Sequence, residues 1–436
     1  MTHAAFRNPA LTRRGFLGFA GGTAAALALS ACTGSGPGGS ANAIKFWDMP
    51  WGTTSYTAAA QKLTQAYKPT GSDLKATYQE IQWNNFTQTF ASAVASKTGP
   101  AVSTGGGFQA FQYAQQGAIA YADDLLDTFK KNGIYDDFLP GVVEPFKMKD
   151  GYAAVPTQLD MRVWWYRKSI LDEVGVELPT TWDEYLAAGK KLAAKGYYAF
   201  GTGAGAGNNI GAHSMIVMMI NNGGGLFNAA GELDCVTDRN IEAMDFVKEL
   251  VAAKIVDPGA LAYTTDNLTS QWKSKKIAMG ISTAGLNNDL GDTTGDVLVA
   301  QPMAGPHGDK GTLQFLNNIM MYTNTPSQAS SEAFLTYWFQ NYKTLWQQKV
   351  IPALPVLKSI TELPEFQQSV QQAEVVKTWQ PIGKTYAAQG TQLTPLLAAI
   401  DAGQALSDFT QTMLAGKTDS KTALASLETA IKALKS

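Results

Sequence analysis

Residues 44–81 read IKFWDMPWGTTSYTAAAQKLTQAYKPTGSDLKATYQEI and place two apolar stretches on either side of a helical pattern. The first stretch, residues 44–47, is typical of a buried strand, and residues 74–81 predict a second strand. Between them, apolar side chains recur at helical spacing over residues 56–67, which predicts a helix. A strand, a helix and another strand in succession form a βαβ unit, so this stretch predicts an α/β fold.

The same alternation continues along the rest of the chain. Thr181, followed three residues later by Glu184, has the spacing of a capping box and predicts a helix start. Such alternation predicts largely parallel sheets covered by helices on both faces. A buried strand is predicted over residues 101–104, and helices over residues 86–95, 108–116, 182–195, 212–221, 238–253 and 328–343, with two or three more between 365 and 434.

The N-terminus has the layout of an export signal. Arg13 and Arg14 precede an apolar run over residues 16–31, and no acidic residue interrupts it. These 16 residues are fewer than the about 20 that a spanning helix needs, so the run does not predict a permanent membrane span. Paired arginines before a mildly apolar run resemble a twin-arginine signal, which we assign to residues 1–31.

The signal ends in a motif that predicts lipidation. Leu29-Ser30-Ala31-Cys32 resembles a lipobox, in which the thiol of Cys32 is acylated and the chain is cut just before it. The following Gly- and Ser-rich residues are uncharged, as expected of a flexible tether. We therefore assign residues 32–43 to the lipidated cysteine and its tether, and we expect the protein on the extracytoplasmic face of the cell membrane.

Composition excludes several classes of protein. Residues 1–31 contain three arginines and no acid, so the remainder has 31 basic and 36 acidic side chains and a net charge of about −5. A negative chain is not expected to bind nucleic acid. About 405 residues exceed what one core serves, which predicts two domains. Besides Cys32 the chain has only Cys235, so no intrachain disulfide is expected, and the three histidines have no zinc-site spacing.

Five short motifs occur in a characteristic order within residues 44–436. Together they resemble the extracellular solute-binding proteins of ABC importers, the group that includes maltose-binding and other sugar-binding lipoproteins. Arg167 stands where that family usually has Asn, at a structural position. The motifs are Phe46-Trp47, Tyr113-Ala114-Gln115-Gln116-Gly117, Tyr166-Arg167-Lys168-Ser169-Ile170-Leu171, Pro179-Thr180-Thr181-Trp182-Asp183-Glu184 and Lys276-Ile277-Ala278-Met279.

The resemblance implies two α/β lobes joined by a hinge, with a ligand cleft between them that closes by a hinge motion. Transferred to this chain, lobe 1 is expected to contain residues 44–156 and 312–350, and lobe 2 residues 157–311 and 351–436. The implied partners are a small solute, most simply a sugar, and the permease subunits of the importer. The protein is expected to be a monomer without a cofactor.

A sugar site needs aromatic platforms and planar polar groups at the ends of strands. Asp48 and Trp51 follow the first predicted strand, and Trp83 follows the second; each tryptophan either contacts ligand or packs inside a lobe. By resemblance, Phe108 and Gln109 occupy contact positions after the Gly105-Gly106-Gly107 stretch, which otherwise serves only as a tight turn.

The predicted hinge and lobe 2 supply the other candidates. Asp160 matches a position where the family often has an acidic sugar ligand, and Arg162 either shares that role or forms an ion pair with Asp160. Asn209 and His213 enter a helix of the second lobe. The remaining predicted contacts lie further along the chain, at Thr283, Asn287, Asn317 and Trp379.

Two alternatives remain at this point. An exported glycoside hydrolase needs two carboxylates across a cleft, whereas the acids over residues 123–137 read as solvated helix faces, and no Gly-x-Ser-x-Gly elbow occurs. A receptor of the same fold for a peptide, a polyamine or a phosphodiester is the other possibility. The presumptive lining has only Asp48 and Asp160 as acids, which favours a neutral polyhydroxylated ligand and a protein that is not an enzyme.

Overall fold

A computed structural model describes residues 42–83, 86–390 and 394–434, and of Ala402 it describes the backbone alone. The predicted signal peptide, Cys32 and the tether up to residue 41 lie outside these ranges. Within them, no helix combines the length and the apolar character needed to cross a membrane.

The strands lie close to where hydrophobic pattern predicts them. The first strand is one residue longer at each end than predicted, and the second strand is one residue shorter at each end than predicted. The strands are β1 (Ala43–Asp48), β2 (Lys75–Glu80), β3 (Val102–Gly105), β4 (Ile119–Ala120), β5 (Val155–Arg167), β6 (Met279–Thr283), β7 (Val297–Val299), β8 (Thr312–Tyr322), β9 (Leu354–Pro355) and β10 (Gly383–Lys384).

Helices cover the strands and form the connections between them. Three short 3₁₀ turns, at Glu144–Phe146, Pro258–Ala262 and Gln380–Ile382, complete the described regular structure. The helices are α1 (Tyr56–Gln65), α2 (Phe86–Ala95), α3 (Gln109–Gln115), α4 (Asp123–Asn132), α5 (Ile134–Asp137), α6 (Lys168–Val174), α7 (Trp182–Ala194), α8 (Asn209–Asn221), α9 (Asp238–Ala252), α10 (Thr265–Lys273), α11 (Leu286–Asp289), α12 (Gln328–Asn341), α13 (Lys343–Gln347), α14 (Lys358–Thr361), α15 (Pro364–Gln367), α16 (Val370–Thr378), α17 (Pro395–Ala402), α18 (Ala405–Ala415) and α19 (Ser420–Lys432).

The sheet has the strand order β2-β1-β3-β8-β5-β6. Strand β1 is parallel to β2 and β3, as the βαβ pattern predicts. The expectation of largely parallel sheets is wrong further along, because β8 is antiparallel to β3 and β5, and β5 is antiparallel to β6 and β7. The two long strands β5 and β8 enter the sheet antiparallel to their neighbours. The local sequence pattern does not reveal the direction of a strand.

Strand β5 changes partners halfway along its length. Its residues 155–161 pair with β8, whereas residues 162–167 pair with β6 and β7. We call the part formed by β2, β1, β3, β8 and the start of β5 the first sheet region. The part formed by the end of β5 with β6 and β7 is the second sheet region. The change of partner falls between Met161 and Arg162, so one continuous strand joins the two halves of a two-lobe α/β fold.

The C-terminal part of the chain contacts both sheet regions. Strand β9 pairs with β5 at Gln158 and Leu159, and Ser359 donates a backbone hydrogen bond of 2.8 Å to Asp137 of α5. Further along, Val299 of β7 donates a 2.7 Å backbone hydrogen bond to the side chain of Gln371 in α16. The chain therefore crosses between the two regions again after residue 361.

Helix α8 is buried over residues 211–221, on every face. A helix that is apolar all round is expected in the interior, and α8 contacts β5, β6 and β8 as well as α9 and α18. It begins at Asn209, three residues before the predicted start, because the side chain of Asn208 caps it by accepting a hydrogen bond from the Ile210 backbone. This burial fixes the position of His213, the fifth residue of the helix.

Helix α7 begins at the predicted N-cap. The Thr181 hydroxyl accepts a 3.3 Å hydrogen bond from the Glu184 backbone. The second half of the predicted capping box differs, because the Glu184 carboxylate accepts hydrogen bonds from the backbone and hydroxyl of Thr180, each at 2.8 Å. The Glu184 side chain thus accepts from the backbone N–H of Thr180, one residue before the N–H of Thr181 that a capping box specifies.

Removal of the cap on α7 tests this local account. Replacing Thr181 with alanine leaves one backbone donor of the helix without its acceptor, and we expect the free energy of unfolding to fall by about 1 kcal/mol. Thr181→Ser retains the hydroxyl and is the matched control, with a loss close to zero. Urea denaturation followed by circular dichroism measures both, and equal stability of the alanine and serine variants would contradict the assignment.

Candidate functional site

A cavity of about 430 Å³ lies where the carboxyl ends of β1, β2 and β3 face β5, α8 and α17. Nine of the thirteen predicted contact residues border it, and its volume falls in the range of about 300–1,000 Å³ that small-molecule sites occupy. The predicted members are Trp51, Trp83, Phe108, Gln109, Asp160, Arg162, Asn209, His213 and Asn317.

The floor of the cavity is a buried polar network around Arg162. Its Nε donates a 2.9 Å hydrogen bond to His213 Nδ1, and its Nη1 donates one of 2.7 Å to Asp160. The guanidinium carbon lies 5.0 Å from the centre of the Phe315 ring, in a cation–π contact. The Arg162 side chain is 8% exposed and that of Asp160 39%, so the ion pair predicted between them is present at the edge of the buried floor.

His213 is neutral in this arrangement. Burial, followed by the positive charge of Arg162, lowers its pKa below the ordinary value, while Asp401 and Asp160 act in the opposite direction. Because Nδ1 accepts a hydrogen bond from Arg162, the ring proton is on Nε2, which lies 3.9 Å from an Asp401 oxygen. The histidine therefore lies between Arg162 of β5 and Asp401 of α17 without adding charge.

Aromatic rings form the walls. Trp51 and Trp83 meet edge to face with ring centres 4.8 Å apart, and Phe86 continues the row 5.5 Å from Trp83. On the floor side, Phe108 and Phe315 are 6.3 Å apart, also edge to face. Rings that present flat apolar surface beside fixed polar groups suit a ligand with both kinds of surface.

Two polar atoms at the site have no partner among the described residues. These atoms are the indole nitrogen of Trp51 and Oε1 of Gln109, whose Nε2 donates to Tyr113 at 3.2 Å. An unpaired buried polar group costs about 1–3 kcal/mol.

The glycine turn before α3 brings backbone close to the site. A β-carbon at Gly105 would lie 2.3 Å from the terminal methyl of Met320 and 2.7 Å from Oε1 of Gln109, so any side chain there would displace both. Gly107 has φ of +27°, and its carbonyl accepts a 3.1 Å hydrogen bond from Asn318. The glycines thus allow the close packing that places Phe108 and Gln109 against the cavity.

Four predicted contact residues do not border this cavity. Asp48 is fully buried beneath it, and Trp379 is buried with its indole nitrogen donating 2.9 Å to the Ala300 carbonyl. Asn287 accepts a 3.0 Å hydrogen bond from Gln372, and the Thr283 carbonyl accepts one of 2.8 Å from Trp165. In this structure these four residues make internal contacts instead, because a strand end or a lone tryptophan suits packing within a lobe as well as a ligand site.

Sequence reasoning missed several lining residues. Phe315 precedes Asn317 by two positions on β8, so both side chains lie on the same face of the strand. The two-residue period of a strand could therefore have identified Phe315 as a lining residue. The sequence around Asp401 of α17 has no pattern that indicates a lining residue, and only the tertiary fold brings Asp401 to the cavity. Its carboxylate accepts a 2.9 Å hydrogen bond from Tyr386. The missed set is Phe86, Thr87, Gln112, Tyr113, Phe315, Ala398 and Asp401, together with backbone of Gly106 and Gly107.

Another cavity of similar size, about 460 Å³, lies at the C-terminal ends of α2 and α3. Its lining is mostly small residues and backbone, with Lys97 as its charged side chain and Tyr322 as its aromatic ring. It lacks the convergence of aromatic and charged groups found around Arg162, so the site is assigned to the smaller cavity. Among the residues that the structure describes, no group of three acids, histidines or cysteines could hold a metal ion.

A ligand-sized cavity between two sheet regions that share a long strand defines a two-lobe solute-binding protein. The family model of the bacterial extracellular solute-binding proteins matches residues 51–341. The chain therefore belongs to that family, and its function is solute binding.

Three known proteins are also similar to this chain. The crystal structure of a sugar transporter from Arthrobacter chlorophenolicus A6, with bound laminaribiose, is 59% identical and covers 90% of this chain and 100% of that chain, with a TM-score of 0.78. A putative binding protein of Brucella abortus is 22% identical over 284 residues, 64% of this chain and 68% of that protein. The cyclic α-maltosyl-1,6-maltose binding protein of Arthrobacter globiformis, 18% identical over 90% of this chain and 98% of that chain, has a TM-score of 0.71 and supports the fold alone.

Asp48 provides a test of the buried layer beneath the site. It accepts hydrogen bonds from Thr104 at 2.7 Å, Tyr56 at 2.9 Å and Tyr78 at 3.2 Å, yet burial raises its pKa from 3.8 to about 7. Because the folded pKa lies above the unfolded one, the contribution of this group to stability is complete below about pH 3.8 and is lost as pH rises to about 7.

We therefore expect the stability of the wild type relative to Asp48→Asn to decline between pH 4 and pH 7 and to be constant above that. Urea denaturation at each pH measures the difference. Asp127→Asn is the control. The exposed partner Lys130 lowers the Asp127 pKa, so the difference in stability between the wild type and Asp127→Asn should be nearly constant over the same pH range. If the difference in stability between the wild type and Asp48→Asn were constant between pH 4 and pH 7, the raised pKa of Asp48 would be contradicted.

Proposed function

We propose that this protein captures a small saccharide of the laminaribiose type in the cavity around Arg162 and delivers it to the permease of an ABC importer. The observation that carries the proposal is the 59% identity, over 90% of the chain, to a sugar transporter crystallised with laminaribiose. Family membership supports the solute-binding role, and the composition of the cavity supports a sugar.

The walls and floor fit the two kinds of surface on a sugar. Pyranose rings have apolar faces, which Trp51, Trp83 and Phe108 can cover, and a rim of hydroxyls, which amide and charged groups can bind. Asp160, Arg162 and the amides of Asn209, Asn317, Gln109 and Gln112 provide that polar rim. We propose that the nine predicted residues bordering the cavity are ligand contacts.

The charges of the site favour a neutral ligand over a polyamine or a phosphodiester. Asp160 and Arg162 neutralise one another at 2.7 Å. Asp401 is the other acid that borders the cavity, and it accepts a hydrogen bond from Tyr386. A polyamine would need several unpaired acids, and a phosphodiester would need an unpaired cation, whereas a sugar needs neither.

We further propose that the protein does not hydrolyse its ligand. A glycosidase uses one carboxylic acid to protonate the leaving group and a second carboxylate opposite it. Of the two acids that border the cavity, Asp160 is held in an ion pair with Arg162 and Asp401 accepts a hydrogen bond from Tyr386, so neither carboxylate is unpartnered. Incubation with laminaribiose followed by chromatography tests this proposal, since release of glucose would contradict it.

A thermal-shift screen of residues 40–436, which form one compact unit, tests ligand class. Laminaribiose at 100 times its dissociation constant should add about 2.7 kcal/mol to the free energy of unfolding, whereas spermidine, a tripeptide and glycerophosphocholine should add nothing. Stabilisation by one of these three, without stabilisation by laminaribiose, would replace the sugar proposal by a receptor of another class.

The role of Asp160 is tested by calorimetric titration of Asp160→Ala with laminaribiose. Loss of a charged hydrogen-bonding group should weaken binding by about 1.5–3 kcal/mol. Asp127→Ala is the matched control, because Asp127 is also ion-paired, with Lys130 at 2.9 Å, but does not border the cavity. Equal affinities for the two variants would remove Asp160 from the contacts.

We also propose that the chain is exported through the twin-arginine route and anchored by a lipid on Cys32. Support comes from Arg13 and Arg14, the lipobox ending at Cys32 and the predicted tether over residues 33–43. One acyl modification site beside a flexible segment would hold the binding domain near a membrane permease.

Cell fractionation tests the anchor. Cys32→Ala should move the protein from the membrane fraction to the soluble fraction, because the acylated thiol is absent. Cys235→Ala is the control; Cys235 is buried in the fold and its replacement should leave the protein with the membrane. Retention of Cys32→Ala in the membrane fraction would count against lipidation at that residue.

A further inference from the structure

We propose that neutral His213 is a positioning residue, which orients the guanidinium of Arg162 for the sugar, and that protonation of His213 weakens sugar binding in acid. This inference rests on the proposed sugar-binding function. It adds to the ligand contact proposed for His213 a second role, which acts through Arg162 and makes the capture of the sugar dependent on pH.

The guanidinium of Arg162 has protein partners on two of its three nitrogens. Nε donates a 2.9 Å hydrogen bond to His213 Nδ1. Nη1 donates one of 2.7 Å to Asp160 and a longer one, of 3.4 Å, to the Met161 carbonyl. Nη2 donates to none of the described residues, and it is not among the unpaired polar atoms that the protein encloses. Because Arg162 borders the cavity, the hydrogens on Nη2 are the ones available to a ligand.

The two partners of the guanidinium differ in how firmly they are held. A planar guanidinium that is bound at two nitrogens has its third nitrogen fixed in direction. The Asp160 side chain is 39% exposed and lies two residues from Arg162 on the same strand. His213 is 4% exposed and belongs to α8, which is buried over residues 211–221. His213 is therefore the partner whose position is fixed by the core, and it determines where Nη2 points.

Protonation of His213 reverses the contact with Arg162. The neutral ring accepts at Nδ1, whereas an imidazolium carries a hydrogen on both nitrogens and can only donate. The Nδ1 hydrogen would then face the Nε hydrogen of Arg162, with 2.9 Å between the two nitrogens and a positive charge on each side chain. Since both side chains are buried, water screens this repulsion poorly. The guanidinium must turn away from His213, which changes the direction of Nη2.

The charged and titratable groups that face the ring come from three parts of the chain. On β5, Arg162 disfavours the charged ring and Asp160 favours it. On α17, Asp401 favours it, with an oxygen 3.9 Å from Nε2. Tyr386, whose ring centre is 6.4 Å from that of His213, stays neutral because burial raises its pKa.

The other elements packed against α8 contribute less to the state of the ring. Strands β6 and β8 have no charged residue, and the charged side chains of α9 and α18 are not among the main causes of the pKa shift of His213. Burial is the largest cause and Arg162 the second, and together they lower the pKa of His213 below its ordinary value of 6.5. Because the neutral form is the binding form, the affinity for sugar is complete above pH 6.5 and is lost as the pH falls through this lowered pKa.

Calorimetric titration with laminaribiose between about pH 4.5 and pH 8 tests the inference. The wild type should bind with constant affinity above pH 6.5. Below the pKa of His213 the affinity should fall by about tenfold for each pH unit, because one proton then competes with the sugar. In nitrogen NMR of the wild type, His213 should gain its Nδ1 proton at the pH at which the affinity falls.

His213→Asn and His213→Leu form a matched pair for the same titration. Asn Oδ1 is as many bonds from the backbone as His Nδ1, so it can accept from Arg162 Nε, but it does not titrate. Leucine has a similar shape and no acceptor. At pH 7.5 the asparagine variant should bind about tenfold more tightly than the leucine variant, and its affinity should stay constant as the pH falls. His307→Asn is the control; His307 is exposed, is paired with Glu242 at 2.8 Å and lies away from the cavity, so the wild-type pH profile should remain.

The outcomes separate this inference from the proposed function. Absence of laminaribiose binding at every pH would overturn the proposed function and the inference with it. Binding of laminaribiose with the same affinity from pH 4.5 to pH 8 would overturn the inference alone, and this result needs no variant to fold. A decline in His213→Asn like that of the wild type, or equal affinities of the asparagine and leucine variants at pH 7.5, would also overturn the inference and leave sugar binding in place.

Discussion

The structure depends on one strand that belongs to both halves of the sheet. Strand β5 pairs with β8 up to Met161 and with β6 from Arg162 onward, so the change of partner occurs beside the most buried charge of the site. Arg162 is held at that point by His213 from α8 and Asp160 from its own strand. Because a buried cation is costly unless paired, these contacts fix the geometry of the junction as well as the floor of the cavity.

That arrangement places the buried side chains of the cavity lining, Arg162, His213 and Phe315, at the junction of the two sheet regions. The floor combines the long strands β5 and β8 with the fully buried turns of α8, whereas the mouth is formed by the segments that follow β1 and β2. Strand ends and loops carry function on such scaffolds because side chains there are not required for packing. Aromatic rings such as that of Trp83 can therefore remain partly exposed there.

Local pattern predicts much of the fold but not the path of the chain through the junction. Strands β1 and β2 and helices α1 and α2 lie within two residues of their predicted bounds, because strand and helix periodicities there agree with burial. The antiparallel entry of β5 and β8 depends on contacts more than 150 residues apart, such as that between Asp160 and Phe315, which no local pattern records. For the site, the candidates that follow strands β1 to β3, namely Trp51, Trp83, Phe108 and Gln109, border the cavity. Asp401 borders it only because of the tertiary fold, whereas Asp48 and Trp379 lie in the interior.

The most direct test of this account is a crystal structure of the protein grown with laminaribiose. We expect density for the sugar in the cavity around Arg162, with a hydroxyl within hydrogen-bonding distance of Arg162 or Asp160. Density for the sugar only at another surface, such as the cavity beside Lys97, with that around Arg162 empty, would contradict it.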